Sequence, residues 1–179
     1  MSTRCALIVT DMLNRYEHDD ADRLMNSVRG IVHALGELIA SARRNRALVV
    51  YVNDNHDDWS AGREELVEWA LAGADPSLVT PIVPEPEFPF IVKARHSAFY
   101  ETQLDYLLRR QEVRRLVLAG QVTEQCILYT ALDAYVRHYE VTVARDAVAH
   151  IHPDLADAAL EMMRRNMRAQ IVDGADFKW

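Results

Sequence analysis

The sequence contains little cysteine: only Cys5 and Cys126 occur in 179 residues, and they form no Cys-x-x-Cys pair. It also lacks the apolar segment of a secretory signal peptide, so we expect a reduced, cytoplasmic protein rather than a disulfide-bonded secreted one. No apolar run approaches the roughly 20 residues that span a bilayer, and we therefore expect no membrane partner.

An excess of positive charge is also lacking, since 20 Lys and Arg residues stand against 27 Asp and Glu residues. The net charge is −7 and the pI is about 5.5, and no basic stripe compensates, so we expect no nucleic-acid partner. No Gly-x-Gly-x-x-Gly motif follows the first predicted strand, which argues against dinucleotide binding. With 50% hydrophobic and 26% charged residues, the composition is typical of a globular protein, and we predict one domain over residues 1–179.

Apolar strand patterns alternate with amphipathic helix patterns along the whole chain. Strands are predicted at residues 6–10, 47–52, 90–92, 116–119, 140–144 and 170–172, and helices at 22–44, 62–71, 102–110, 124–138 and 153–167. This alternation predicts an α/β fold of three αβα layers, Rossmann-like, in which a six-stranded parallel sheet has helices on both faces. Residues 76–89 hold five of the six prolines, and we predict an ordered surface excursion there.

Polar and reactive residues recur where the predicted strands end. Asp11, Asn53, Asp54, Lys93 and Cys126 all occupy such positions. In parallel sheets of this kind, ligands bind outside the carboxyl ends of the strands. The pattern therefore places an acid, a base and a thiol at one edge of the sheet, although they are far apart in sequence.

Cys126 lies between a predicted strand and a predicted helix, for which Thr123 is a suitable N-cap. Unpaired N–H groups and the positive end of a helix dipole stabilise a thiolate, so we expect a lowered thiol pKa and a nucleophilic cysteine. The alternative is a packing role, since free cysteine is among the most buried residue types. We expect that packing role for Cys5.

Four sequence motifs, including those around Lys93 and Cys126, add to this pattern of residues at strand ends. They are KARHSAF at residues 93–99, VLAG at 117–120 followed by Thr123 and Cys126, TALDA at 130–134, and Asp-Ala at 146–147. Together they resemble the isochorismatase-like superfamily of cysteine hydrolases, and the resemblance extends over nearly the whole chain. It implies a six-stranded parallel sheet flanked by helices, in agreement with the pattern of strands and helices.

The resemblance implies a catalytic triad of Asp11, Lys93 and Cys126. In that scheme Asp11 accepts the thiol proton and later activates water, while Lys93 supplies positive charge beside the sulfur. The resemblance also implies a cis peptide bond between Gln121 and Val122, with the backbone N–H groups of Val122 and Cys126 binding the oxyanion. Taken singly, Asp11 could cap a turn and Lys93 could be a solvated residue at a strand end.

Nicotinamidase-type members of the superfamily bind a metal through an Asp-x-His motif and a later histidine. Asp54 and His56 match the first part, but the next histidine, His96, lies inside the block that follows Lys93. We therefore predict no metal and no other cofactor. Asp54 and His56 are expected at the pocket edge or in a structural role.

The segment MLNRY at residues 12–16 departs from the nicotinamidase pattern, which argues against nicotinamide as the substrate. The vinyl-ether-cleaving branch of the superfamily generally lacks the nucleophilic cysteine, so Cys126 argues for an amide or ureido C–N bond. Aromatic residues near such a site are usually part of the core, but some are candidates for the pocket. The candidate substrate-binding residues are Asn14, Tyr16, Trp59, Phe99 and Tyr129.

These observations predict a cysteine hydrolase that cleaves a C–N bond of a small amide, ureido or carbamoyl compound through a thioester. The alternatives are a non-catalytic binding or scaffold protein on the same fold, and an isochorismate-type vinyl ether hydrolase. The resemblance also implies a homo-oligomer, a dimer or tetramer. In such an assembly residues 76–89 could form an interface or a pocket lid.

Overall fold

A parallel sheet of six strands forms the centre of the computed structural model, which describes residues 4–179. The strands lie in the order β3-β2-β1-β4-β5-β6, and every neighbouring pair is parallel. The predicted three-layer αβα fold is confirmed. In chain order the elements are β1 (Arg4–Thr10), α1 (Ala21–Arg44), β2 (Leu48–Asp54), α2 (Arg63–Leu71), β3 (Phe90–Lys93), α3 (Leu104–Arg110), β4 (Val113–Gln121), α4 (Leu128–Val136), β5 (Glu140–Ala149), α5 (Pro153–Asn166) and β6 (Gln170–Val172).

The sheet separates two hydrophobic cores because successive side chains of each strand point to opposite faces. Leu7 of β1 belongs to the core beneath α1 and α2, whereas Ile8 belongs to the core beneath α3, α4 and α5. Helix α1, with 24 residues, buries one face and leaves the other exposed. Within residues 4–179 no helix combines the length and the apolar content needed to cross a membrane.

Strands β4 and β5 are longer than their apolar runs predicted. β4 begins at Val113, ahead of the polar Arg114 and Arg115, and β5 continues past Arg145 to Ala149. The arginines obscure the pattern because Arg114 and Arg145 point to solvent while their backbones stay in the ladder. The predicted ends of these two strands are therefore corrected by several residues.

The end of β4 lies unusually close to β1. Gly120 pairs with Thr10 and has a φ of 109°, and a Cβ atom there would lie 2.2 Å from the Thr10 carbonyl oxygen. Only glycine tolerates that backbone angle and that approach. The contact brings the residue after β1, Asp11, against the end of β4 that leads to Cys126.

The proline-rich segment, residues 76–89, packs onto the body of the protein. It starts with two short 3₁₀ turns, Pro76–Leu78 and Thr80–Ile82. Ile82 is 2% exposed, and its carbonyl accepts a hydrogen bond of 2.9 Å from the Tyr51 hydroxyl. The predicted ordered excursion is confirmed, while a role as lid or interface stays a prediction.

Candidate active site

Three strands that are separate in sequence bring Asp11, Lys93 and Cys126 together. Asp11 follows β1, Lys93 ends β3, and Cys126 lies in the turn after β4. Lys93 Nζ lies 2.9 Å from Asp11 Oδ2 and 3.7 Å from Cys126 Sγ. The three residues are 8%, 2% and 7% exposed. The edge of the sheet therefore holds a buried acid, cation and thiol in direct contact.

The carboxylate of Asp11 is fixed by its surroundings. The Asp11 N–H donates to the Val52 carbonyl at 2.9 Å, and Oδ1 accepts the Asp54 N–H at 2.7 Å. The Asp11 carbonyl accepts a hydrogen bond of 2.6 Å from Gln121 Nε2. With Oδ2 directed to Lys93, both carboxylate oxygens are engaged, so the carboxylate has one defined orientation.

Lys93 is a buried cation between two carboxylates. Its Nζ also lies 3.5 Å from Asp54 Oδ2, and Asp54 is its register partner in the β2–β3 ladder. Burial by itself would lower the pKa of Lys93, but Asp11, Cys126 and Asp54 together outweigh it and raise that pKa. Lys93 therefore remains an ammonium. The sequence predicted a pocket-edge or structural role for Asp54 and did not identify its pairing with Lys93.

The turn that holds Cys126 is wider than an α-helical turn. Residues Thr123–Ile127 form a single π-helical turn ahead of α4. The N–H groups of Gln125 and Ile127, on either side of Cys126, both donate to the Val122 carbonyl, at 3.0 and 3.1 Å. The peptide bond between Gln121 and Val122 is cis, as expected from the resemblance.

The regular helix predicted over residues 124–138 is wrong in its first turn. The α-helical part spans only Leu128–Val136. Thr123 is not an N-cap, because its hydroxyl donates across the sheet to the Ala149 carbonyl at 2.8 Å. The hydroxyl instead links the π-helical turn to Ala149, the last residue of β5. Ala149 lies beyond the strand predicted over residues 140–144.

The lowered pKa expected for Cys126 is also wrong for this structure. Burial raises the pKa of the thiol, and the Asp11 carboxylate raises it further. Lys93 and a hydrogen bond from the Val122 N–H oppose the rise only in part. Burial of the sulfur beside a carboxylate outweighs the stabilisation expected from the helix dipole. Cys126 is therefore a thiol at rest and must give its proton to a base before it can attack.

His96 is a fourth polar residue at the sulfur, and it was not among the predicted site residues. Its Nδ1 atom lies 3.8 Å from Cys126 Sγ, and its ring stacks on Tyr129 with centroids 5.4 Å apart. His96 is exposed, unlike Asp11 and Lys93. The sequence feature that could have identified His96 as a site residue was its position in the block KARHSAF, three residues after Lys93.

Residues 5–176 match the family model described as the isochorismatase domain. The chain belongs to the isochorismatase family. The resemblance seen in the sequence blocks is thus confirmed over nearly the whole chain.

Two relatives and one solved structure illustrate the family's range. The uncharacterized isochorismatase family protein YaaI of Bacillus subtilis (strain 168) is 33% identical over 166 residues, or 93% of this chain and 92% of that protein. The ureidoacrylate amidohydrolase RutB of Enterobacter sp. (strain 638) is 30% identical over 181 residues, or 86% of this chain and 79% of that protein. The crystal structure of N-carbamoylsarcosine amidase from Thermoplasma acidophilum is 28% identical with a TM-score of 0.74, and the match covers 99% of this chain and 100% of that chain.

Two of the five predicted substrate-binding residues of this isochorismatase-family chain lie exposed near the site. Trp59 is 82% exposed and lines a cavity of about 410 Å³ whose wall includes Lys93. Tyr129 stacks on His96 beside the sulfur. A larger cavity of about 1050 Å³ lies between α1 and α5, but the acid, cation and thiol do not line it. The smaller cavity is lined by Lys93 but not by Asp11 or Cys126, so it is a candidate for the outer part of the substrate site.

The other three candidates make structural contacts instead. Tyr16 is 2% exposed and its hydroxyl donates to Gln121 Oε1 at 3.4 Å, so it supports the side chain that holds the Asp11 backbone. Phe99 is 4% exposed and stacks on Tyr139. Asn14 Oδ1 accepts the Tyr16 N–H within the loop after β1. Tyr16 and Phe99 lie in the hydrophobic core in this structure, and a substrate-binding role for them stays a prediction.

Asp54 and His56, which match the start of the nicotinamidase-type metal motif, have other partners. The Asp54 carboxylate contacts Lys93 and accepts the His56 N–H at 2.9 Å. The His56 ring stacks on Trp69, and its Nε2 lies 3.0 Å from the Leu13 carbonyl oxygen. In the part of the chain that the structure describes, no three His, Cys, Asp or Glu side chains are grouped as metal ligands. The donor set does not fit that metal site.

The buried thiols and phenols predict a loss of stability in alkaline solution. Burial raises the pKa of Cys5 from 9.0 to about 11 and that of Tyr16 from 10.0 to about 12, and the pKa of Cys126 also rises. Above about pH 9 the unfolded chain loses thiol protons that the folded chain keeps. The free energy of unfolding should therefore fall as the pH rises from about 9 towards 11.

Urea denaturation at about pH 7, 9 and 10 would measure this change, with wild type compared with Cys5→Ala. The variant should lose less stability than wild type over the same interval, because one of the raised groups has been removed. Equal free energies of unfolding at about pH 7 and 10 in wild type would contradict the expectation.

Proposed function

We propose that the chain is an amidohydrolase in which Cys126 attacks the carbonyl carbon of a small amide, ureido or carbamoyl compound. The contact of Lys93 Nζ with both the Asp11 carboxylate and the Cys126 sulfur, at 2.9 and 3.7 Å, is the observation that carries the proposal. The relatives named as a ureidoacrylate amidohydrolase and an N-carbamoylsarcosine amidase support C–N cleavage as the class of reaction.

In the proposed acylation step, Asp11 accepts the Cys126 proton as the sulfur attacks the carbonyl carbon. The raised pKa of the thiol makes such a base necessary. The Lys93 ammonium stabilises the thiolate and the negative charge that develops on the carbonyl oxygen. Asp11 then passes the proton to the leaving nitrogen, and the acyl group remains on the sulfur as a thioester. The N–H groups of Val122 and Cys126 are proposed as the oxyanion donors.

The cavity beside Lys93 suits a small substrate. Its volume of about 410 Å³ lies in the lower part of the usual range of roughly 300–1,000 Å³ for small-molecule sites. The residues in its wall include Trp59, Arg95 and Asn55, which carry an indole ring, a guanidinium and an amide. A planar ureido or carbamoyl group can stack on the Trp59 ring and accept hydrogen bonds from the Arg95 guanidinium, whereas Asn55 Oδ1 already accepts the Asp57 N–H.

A panel of small amides, ureido acids and carbamoyl compounds tests the proposal, with release of ammonia or amine as the readout. We expect turnover of at least one ureido or carbamoyl compound and, on rapid quenching, a covalent adduct on Cys126 in the intact mass spectrum. Binding of panel members without turnover would favour the non-catalytic binding protein instead.

The homodimer or homotetramer expected from the resemblance stays a prediction. Helices α4 and α5 lie side by side and expose apolar side chains, and α5 is acidic near its start and basic near its end. A second copy of α5, packed antiparallel on the first, would bury the apolar side chains and bring opposite charges together. The exposed apolar residues are Leu132, Val136, Leu155 and Met162, each 45–56% exposed.

A further inference from the structure

We propose that Gln121 is a positioning residue for the reaction, because its side-chain amide holds Asp11 beside Cys126. The inference deepens the proposed function and rests on it, since Asp11 matters here as the base that accepts the thiol proton. In the described chain, the side-chain hydrogen bonds of Gln121 go to Asp11 and Tyr16 and not to the sulfur. Gln121 would therefore act through Asp11.

Gln121 lies where the ladder between β1 and β4 ends. The last registered pair of the two strands is Thr10 with Gly120. Beyond it, Asp11 turns out of the strand, while Gln121 continues the ladder with β5 opposite Ala149. The Asp11 carbonyl therefore lies past the backbone donors of β4. Gln121 Nε2 donates to it at 2.6 Å and takes the place of the missing backbone donor.

The backbone conformation of Asp11 needs such support. Its φ of 55° lies in the left-handed region, which residues other than glycine rarely occupy. The Asp11 N–H donates to the Val52 carbonyl at 2.9 Å and its carbonyl accepts the Gln121 amide, so hydrogen bonds hold the backbone on both sides of the strained angle. The direction of a side chain depends on its backbone angles. Loss of the amide would let the backbone relax and would move the carboxylate relative to the sulfur.

The Gln121 amide is itself held in one orientation. Gln121 is 1% exposed, and its Oε1 accepts the hydroxyl of Tyr16, which is 2% exposed. A flipped amide would set its oxygen against the Asp11 carbonyl oxygen, so only the observed orientation donates. A chain of buried contacts therefore runs from the Tyr16 phenol through the amide to the acid.

The same stretch of chain also positions the nucleophile. Gln121 ends β4, and Cys126 lies in the π-helical turn that follows. The N–H groups on either side of Cys126 donate to the carbonyl of Val122, the neighbour of Gln121. The Gln121 side chain thus holds the acid, while the next residue holds the turn with the thiol. Their relative placement depends on this short segment.

Gln121→Glu tests the role of the amide donor, because glutamate has nearly the same shape but donates only when it is protonated. The protonated carboxyl can donate to the Asp11 carbonyl while its other oxygen accepts the Tyr16 hydroxyl. Burial beside a carbonyl oxygen should raise the pKa of this glutamate above its usual value of about 4.3. The hydrogen bond to Asp11 is therefore present at low pH and is lost as the pH rises through that raised pKa.

The groups around this position leave that pH dependence measurable. They are the Tyr16 hydroxyl with Asp75 near it, and Asp11 with Lys93 and Cys126 behind it. Burial raises the pKa of Tyr16 to about 12, so the phenol stays neutral between about pH 5 and 8. Each variant is compared with wild type at the same pH, which cancels the titration of the groups that both proteins share.

The ester p-nitrophenyl acetate provides a readout without knowledge of the natural substrate. The Cys126 sulfur bonds to the ester carbonyl carbon, the C–O bond breaks, p-nitrophenolate leaves, and Asp11 takes the thiol proton. Intact mass spectrometry after rapid quenching follows the acetyl group, with Cys126→Ala as background. Acetylation of Gln121→Glu should be within about threefold of wild type at about pH 5 and about 100-fold slower at about pH 8, the usual cost of a misplaced catalytic group.

Gln121→Met removes the donor at every pH, so its acetylation should be about 100-fold slower at both values. In an Asp11→Asn background, the same substitution should slow acetylation by less than about threefold, because a residue that acts through Asp11 has no further effect once the acid is gone. A merely structural role would lower the rate in both backgrounds. Circular dichroism and thermal unfolding at each pH would confirm that the compared variants are folded.

Gln170→Glu is the matched control, because it places the same new carboxyl at an exposed position on β6, and it should follow wild type at both pH values. A folded Gln121→Glu whose rate relative to wild type is the same at both pH values would overturn the assignment. A full further loss on adding Gln121→Met to Asp11→Asn would do so too. If Gln121→Met does not fold, Gln121→Glu decides the question, since it keeps the native shape.

The outcomes separate this inference from the proposed function. Acetylation that persists in Cys126→Ala, or its absence from wild type, would remove the nucleophile and with it the inference. Acetylation that depends on Cys126 but proceeds at the wild-type rate in folded Gln121 variants would leave the nucleophile in place and remove only the role of Gln121.

Discussion

Cys126→Ala is expected to reduce turnover of the best panel compound to background, a loss of about 10⁴-fold or more. The sulfur is the atom that forms the covalent bond in the proposed reaction, and alanine offers no nucleophile in its place. The 2.9 Å contact between Lys93 and Asp11 does not involve the sulfur, so the variant should retain both charges of the site. Ammonia release measured under saturating substrate would report the loss.

Cys5→Ala is the matched control for that experiment. Cys5 is also a 7% exposed thiol, but it lies near the start of β1, at the opposite end of the strand from Asp11. Both variants should unfold cooperatively on heating, with circular dichroism spectra like that of wild type. Retention of more than about 1% of the activity by a folded Cys126→Ala would rule out the nucleophile, since its loss should cost far more.

The sequence alone predicted the fold and the meeting of the three residues because both depend on strand order and strand ends. Asp11, Lys93 and Cys126 follow apolar runs, and the carboxyl ends of parallel strands lie at one edge. Their placement at one edge needed no knowledge of side-chain conformations, whereas their grouping as a triad was what the family resemblance implied. The ends of β4 and β5 were less predictable, since solvent-facing arginines interrupt an apolar pattern without interrupting a ladder.

Burial and local charge could not be predicted in the same way. Tyr16 and Phe99 come from loops near the site, but their rings turn into the core, which only the packed structure reveals. The pKa of Cys126 rises because its sulfur is desolvated beside Asp11, an effect of atoms distant in sequence. His96 was in a recognised block, but its contact with the sulfur depends on the loop after β3 and on the π-helical turn.

Lys93→Met is expected to reduce both stability and activity. Lys93 is 2% exposed and is the cation that offsets the charge of Asp11, which is itself 8% exposed. Removing one partner of such a buried pair leaves an uncompensated charge, and the usual cost is about 3–5 kcal/mol. Without the ammonium, the thiolate of Cys126 and the oxyanion would also lose their nearest positive charge. Urea denaturation and ammonia release would measure the two losses.

The double variant Asp11→Asn/Lys93→Met separates the two effects, because it removes the two buried charges and leaves only the partly exposed Asp54 carboxylate. It should recover most of the lost stability without recovering activity. Arg145→Met is the matched control for the loss of a cation, since the ion pair of Arg145 with Asp173 is exposed to solvent. Exposed pairs contribute little, so that variant should stay near wild type in both measurements. If Lys93→Met lost no more stability than Arg145→Met, the contact between Lys93 and Asp11 would not be the interaction that fixes Asp11 beside the thiol.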